Sequence, residues 1–478
     1  MTTKNRKPKQ NKKRISIKTL KGGIIYGEPG TYGITLGDPP LPEKQIKQRY
    51  SKQGSRTKKS KPNNNAINGT NENSYVSKIF FDEKNIPLAL SAIDYLVNSV
   101  AESGSSIEEI FGNHIALPRK WKNNKYYTNI DTQEYTSQKY QKDEYWMFNK
   151  PKTPEKNVPQ IELRDKVKKA KKQIQYRKAE CGDLDSILVN SPAAFIDFMT
   201  KYKNIVAGLD ILHSYRLAHL DVKLANMLCI YDAENKYVLS DLDTIRPFDY
   251  FTMEYFESLD KDDIKLFDLT RFFNNWSYEY FPTCITLLTA TLASTDGKIN
   301  SKMSLNSLSY GLKNEWNKEA AIGCQRMFLL IYKKLKKLQP DTTKNIIENL
   351  RHIFWNKYGN HDFNGDFTDA TEEQKKYAYL YQFNKVIAED FNTSNIQPID
   401  IRNILLKYVD IYGASMSIIR KIFQFLYETP EDLITPEIID YLGNIIQLIK
   451  SIMTIDYFRK KLYEQTFLNL FEQIQTPI

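Results

Sequence analysis

What the chain has little of narrows the field first. There are four cysteines among 478 residues, and none stands at a metal-ligand or disulfide-frame spacing. A disulfide-stapled secreted domain and a cysteine zinc site are thereby excluded, and a reduced, intracellular, cytoplasmic setting is expected. No apolar signal core follows the first residues, and no uninterrupted apolar run is long enough to span a bilayer, so no transmembrane segment is expected. No clear internal repeat is present.

What is abundant is positive charge, and it is local. The net charge is +11. Lys4, Arg6, Lys7, Lys9, Lys12, Lys13 and Arg14 crowd one tail, and Lys44, Lys47, Arg49, Lys52, Arg56, Lys58, Lys59 and Lys61 crowd a second segment. Such runs suit nucleic acid, an acidic partner or an anionic membrane face, or else simply solvate disordered chain. Residues 1–14 read as a disordered basic tail, and residues 40–74 and 119–160 as disordered insertions. The richness in Lys, Asn, Ile and Tyr fits an AT-rich genome.

The chemistry gathers between His219 and Asp243. His219-Leu220-Asp221-Val222-Lys223-Leu224-Ala225-Asn226 sets an acid two residues before a lysine and five before an amide. After an apolar run, Ser240-Asp241-Leu242-Asp243 adds a second acid. Phosphoryl transfer from a metal-bound nucleotide needs this set: a carboxylate to take the hydroxyl's proton, an amide and a carboxylate for the metal, and a lysine for the migrating charge.

These residues resemble the catalytic core of the protein kinases, H-R-D-L-x-x-x-N followed by D-F-G. His219, Asp221, Lys223 and Asn226 match; Leu220 replaces the usual Arg, and Asp243 stands where Gly is expected. The resemblance implies Asp221 as catalytic base, Lys223 as a γ-phosphate contact, Asn226 and Asp241 as Mg²⁺ ligands, and ATP as the nucleotide.

Other stretches fit the same frame. In residues 22–36, Gly30 and Gly33 match the kinase glycine loop, with Gly27 displaced by one residue and Glu28 in the first glycine's place. Glycines let backbone N–H groups approach phosphates. Tyr75-Val76-Ser77-Lys78-Ile79-Phe80 resembles V-A-I-K, which implies Lys78 on the α/β-phosphates. Its acidic partner would be Asp94, the single acid in the helical stretch Ile86 to Val100, or else Glu102. Gln173 to Tyr176 reads as a last strand. Around Cys181, residues 178–181 resemble the hinge that meets adenine, Asp183 would reach the ribose, and Leu228 would floor the base. His114 and His213 read as structural. Phe195 to Tyr215 has core-helix spacing. Asp262 or Asp263 is the expected anchor of the following helix.

No A-P-E follows Asp243. That absence weighs against control by activation-loop phosphorylation. With Asp243 it also resembles the aminoglycoside and choline kinase type of small-molecule phosphotransferase. An irregular glycine loop keeps open an inactive pseudokinase scaffold. Residues 362–373 carry oxygen ligands near calcium-loop offsets, but glycine is not at the sixth place, so a solvated loop is expected. Helices are expected at Phe281–Ser294, Trp316–Leu338, Asn345–Tyr358, Glu372–Phe391, Asp400–Gly413, Ser415–Tyr427, Glu437–Met453 and Asp456–Gln473.

The expectation is therefore an α+β, two-lobed protein-kinase-like fold. Residues 15–182 form an antiparallel β small lobe. Residues 183–300 form the core of a helical large lobe, and residues 301–478 complete it and add a helical C-terminal extension. The expected substrate is a protein Ser or Thr hydroxyl. The divergent motifs resemble kinases of large DNA viruses, of the poxvirus and giant-virus types, for which host cytoplasm or virion would be the setting.

Overall fold

The computed structural model describes residues 24–26, 33–37, 75–80, 86–120, 125–126, 128–129, 172–179, 181–232, 234–251, 280, 282, 331–338, 340–358 and 398–474. The chain forms two compact units, Met1–Ile86 with Pro118–Lys178, and Pro87–Leu117 with Ala179–Ile478.

The first unit holds an antiparallel sheet of order β1-β2-β3-β5-β4. Its strands are β1 (Ile24–Tyr26), β2 (Gly33–Gly37), β3 (Tyr75–Phe80), β4 (Thr128–Asn129) and β5 (Lys172–Arg177). Along β3 the aromatic and β-branched residues favoured in strands, Tyr75, Val76, Ile79 and Phe80, flank a polar centre of Ser77 and Lys78. Lys78 sits mid-strand, opposite Thr35 on β2 and Ile174 on β5. Val76 and Ile174 are buried and Lys78 is half-buried, so the lysine stem lies along an apolar surface. β4 lies within the stretch read above as an insertion; it pairs with Gln173 and Lys172 and extends the sheet by one edge.

The second unit is mainly helical. α1 (Ile86–Val100) has the bounds expected from its spacing and buries Ala92, Ile93, Leu96 and Val100 on one stripe. α2 (Ile107–Phe111) starts with a capping box between Ser106 and Glu109. The sequence assigns residues 87–117 to the small lobe, yet they cluster with the second unit. The reason is backbone pairing at the end of that stretch, where Ala116 N–H donates to Leu239 O at 2.7 Å and Leu239 N–H to His114 O at 2.8 Å.

α3 (Pro192–Ser214) is the core helix expected from Phe195 onward. Ser191 caps it by accepting from Ala194 N–H, Pro192 opens it, and its buried face runs from Phe195 to His213. Each large apolar side chain buried there contributes about 1.5–3 kcal/mol. Then come β6 (Leu217–Ala218), the hairpin β7 (Met227–Asp232) and β8 (Glu234–Leu239), and β9 (Arg246–Pro247), which pairs with β6.

A helical segment at 331–338 precedes α4 (Pro340–Tyr358), α5 (Pro398–Glu428), α6 (Pro436–Met453), α7 (Asp456–Arg459) and α8 (Phe467–Glu472). The helices expected at Asp400–Gly413 and Ser415–Tyr427 are one helix of 31 residues, α5. Gly413 does not break it; the glycine permits a close approach described below. The single helix expected at Asp456–Gln473 is broken instead. Lys461 adopts φ 51°, and the N–H groups of Phe467 and Leu468 are capped by the carboxylate of Asp210 on α3, at 2.9 and 2.7 Å. Phe281–Ser294 and Glu372–Phe391 lie outside the described residues, apart from Pro282. Among the described residues, no helix is long and apolar enough to cross a membrane.

Candidate active site

Local spacing builds the centre of the site. From Ala218 the chain enters a loop that ends in a single 3₁₀ turn, Leu224–Asn226. Lys223 Nζ donates to Asp221 Oδ2 at 2.8 Å. Asn226 Nδ2 donates to the same oxygen at 2.8 Å and to Asp221 O at 2.9 Å. The two- and five-residue spacings thus close a ring of side chains around one carboxylate. Two donors on Oδ2 fix the plane in which Asp221 presents itself. With Nδ2 of Asn226 turned to Asp221, its Oδ1 is the atom suited to a hard cation.

The loop is seated from below by a residue far along the chain. Asp410, on α5, is fully buried. Its Oδ2 accepts from His219 N–H at 2.8 Å and from His213 Nε2 at 3.0 Å, and its Oδ1 accepts from Leu220 N–H at 2.7 Å. Capture of two consecutive amides by one carboxylate holds Leu220 at φ 65°, a conformation rarely adopted by a non-glycine residue. Gly413 lies one turn further along α5. A Cβ there would come within 2.5 Å of Val222 O. The absence of a side chain is what lets α5 reach the loop. Asp262 and Asp263, the expected anchors, lie outside the described residues; among the described residues, Asp410 seats the loop.

The second acid is tied to the same loop. His219 Nε2 donates to Ser240 O at 2.9 Å, while its Nδ1 accepts from Asp221 N–H at 3.4 Å, so the Nε2–H tautomer satisfies both contacts. Ser240 N–H donates to Asn226 O at 2.9 Å. Asp241, the next residue, is exposed and takes φ 56° and ψ 61°, a left-handed geometry that costs a non-glycine residue about 1–2 kcal/mol. Asn226 and Asp241 therefore leave one clamped point in the fold, each offering oxygen. Among the described residues no group of three or more His, Cys, Asp or Glu gathers around a metal-sized space. Two oxygen ligands with water and phosphate completing the shell is the mode that suits Mg²⁺.

The remaining expected residues are placed as follows. Gly33 begins β2, and Gly27 and Gly30 lie outside the described residues. Lys78 belongs to the first unit, and Asp94 and Glu102 to the second. Asp94 is exposed on α1, where partial desolvation nevertheless raises its carboxyl above the usual value, and Glu102 is exposed in the turn after it. Cys181 is exposed, and its backbone N–H donates to Cys229 O at 3.4 Å. Asp183 Oδ1 accepts from Ser186 N–H at 2.8 Å, so this acid caps its own turn. Leu228 is half-buried against Ala116, Ile230 and Val238. His114 Nδ1 faces Asn204 O at 3.2 Å, and burial pushes its imidazole below the ordinary value, as suits a structural histidine.

Sequence reading missed Asp410 and Gly413. One signal was present: an acid amid Leu406, Val409, Ile411, Tyr412 and Ala414 on a helix has no exposed face to serve. No family model, no curated protein and no solved structure matches the chain.

Proposed function

We propose that the chain transfers the γ-phosphate of ATP to a Ser or Thr hydroxyl of a protein, on a two-lobed protein-kinase-like fold. The observation that carries this reading is the clamped loop. Asp221 has Lys223 and Asn226 on one carboxylate oxygen, and Asp241 follows a residue bonded to Asn226. Both stand on backbone held by the buried Asp410 and His219.

In the proposed step the acceptor oxygen bonds to the γ-phosphorus as the bond to the β–γ bridging oxygen breaks. The hydroxyl proton passes to the Asp221 carboxylate, and the bridging oxygen leaves on ADP. Lys223 stands beside Asp221 to offset charge on the moving phosphoryl group. Asn226 and Asp241 would hold Mg²⁺, which when bound neutralises charge on the nucleotide's phosphates. Lys78 would take the α- and β-phosphates, and the glycine stretch would cover them. The basic segments at 4–14 and 44–61 are proposed to meet an acidic or nucleic-acid partner in an intracellular setting.

A radiolabelled-ATP assay on casein, a basic protein and aminoglycosides, run beside Asp221→Ala, tests the reading. Label on protein in the wild type, reduced on the order of 10²-fold or more in the variant, is the expected result. Label on the aminoglycoside instead favours the small-molecule reading that Asp243 and the missing A-P-E suggest. Label on neither favours an inactive scaffold.

A further inference from the structure

The turn that carries Asp241 is gripped on both sides. Upstream, Ser240 is held by His219 and Asn226. Downstream the grip comes from Arg246, whose side chain is only 2% exposed. Its Nη1 donates to Asp243 O at 2.9 Å and to Ile245 O at 2.6 Å. Its guanidinium lies over the ring of Tyr250 at 5.5 Å and over that of Tyr95 at 6.0 Å. Those two rings meet edge to face, with centroids 6.1 Å apart. Tyr95 belongs to α1, and Tyr250 follows β9.

A buried guanidinium needs partners for its charge and its protons; here two rings face the charge and two carbonyls accept from Nη1. A left-handed aspartate persists only where the surrounding chain over-determines it. From these contacts we propose that Arg246 is a positioning residue for the metal-holding acid: braced by Tyr95 and Tyr250, it locks the Asp241 turn, and so couples the placement of α1 to metal affinity. The proposal rests on the phosphotransfer reading. It adds that the helix carrying Asp94 beside Tyr95 also sets the turn that carries Asp241.

The test uses the full chain with a non-hydrolysable ATP analogue. Bound Mn²⁺ is read from the loss of the free-ion paramagnetic resonance signal, and hydrogen exchange at residues 240–245 is followed in the metal-free protein. Tyr95→Leu keeps apolar bulk but removes the ring face, and should weaken Mn²⁺ binding ~3–10-fold and speed exchange in the turn. Tyr95→Phe keeps the face and should bind like the wild type. Arg246→Met should lose more than Tyr95→Leu, and Asp241→Asn marks loss of the ligand itself.

Exchange across 192–214 should stay unchanged in Tyr95→Leu. If Leu and Phe at position 95 behave alike, or if exchange rises throughout the second unit, the contact only packs and the coupling is wrong. If Asp241→Asn loses Mn²⁺ while Tyr95→Leu binds it as the wild type does, the coupling is wrong but the phosphotransfer reading stands. If the wild type holds no Mn²⁺–nucleotide, both fall together.

Discussion

Asp410 shows how much one buried charge can organise. Three donors meet its two oxygens, and each would be stranded if the carboxylate were removed. Taking away one partner of such a buried network costs about 3–5 kcal/mol. Asp410→Ala should therefore lower the urea-unfolding free energy by about that amount and abolish the proposed phosphotransfer, because His219 and Leu220 hold the loop's shape. Lys421, also buried on α5, gives a pH signature. Its three protons go to Asp185 O, Ile187 O and Gln424 Oε1, at 3.2, 2.6 and 2.8 Å. Burial lowers its ammonium from an ordinary 10.5 to about 8. Between those values the unfolded chain binds more protons than the folded one, so this group's contribution to stability rises with pH from about 8 to 10.5 and is flat below. The stability-versus-pH curve of Lys421→Met, measured by urea unfolding, should lack that rise.

Among the elements, α5 is the one most constrained by what it touches. Alanine favours a helix over glycine by about 1 kcal/mol, so propensity alone predicts that Gly413→Ala stabilises. The added Cβ would sit 2.5 Å from Val222 O, which is backbone and can yield only if the loop moves. Overpacking of this kind costs about 1–3 kcal/mol. The expected outcome is a lower melting temperature, intact helical circular dichroism and a fall in kcat. A melting temperature above wild type would show that the loop gives way freely. The same element shows why a glycine in a helical pattern suggests a boundary: propensity sees a break, while the fold uses the missing side chain for contact.

At the scale of the whole molecule, Lys78 belongs to the first compact unit and Asp221, Asn226 and Asp241 to the second. Lys78→Met should reduce kcat/KM for ATP by roughly 10²-fold, with hydrogen exchange along 192–232 unchanged. A variant with unaltered kinetics would remove Lys78 from the reaction. Residues 87–117 join the second unit although they follow the β3 strand directly in sequence, because His114 and Ala116 pair with Leu239 across more than a hundred residues. Asp183 accepts at Oδ1 from Ser186 N–H, three residues on in its own turn.

By itself the sequence determined what short-range geometry controls. The spacing of Asp221, Lys223 and Asn226 closes their ring of contacts, the aromatic and β-branched residues of 75–80 make a strand, and the apolar stripe in 86–100 makes a helix of those bounds. Only the tertiary structure decided that Asp410 seats the loop, that Gly413 lets α5 approach it, and that Arg246 closes on the Asp241 turn between two tyrosines. The physical reason is separation along the chain. A contact within five residues follows from backbone period and side-chain length, whereas a chain closing the 191-residue separation from His219 to Asp410 can return by countless paths. Which carboxylate meets which amide is settled only when the whole core packs.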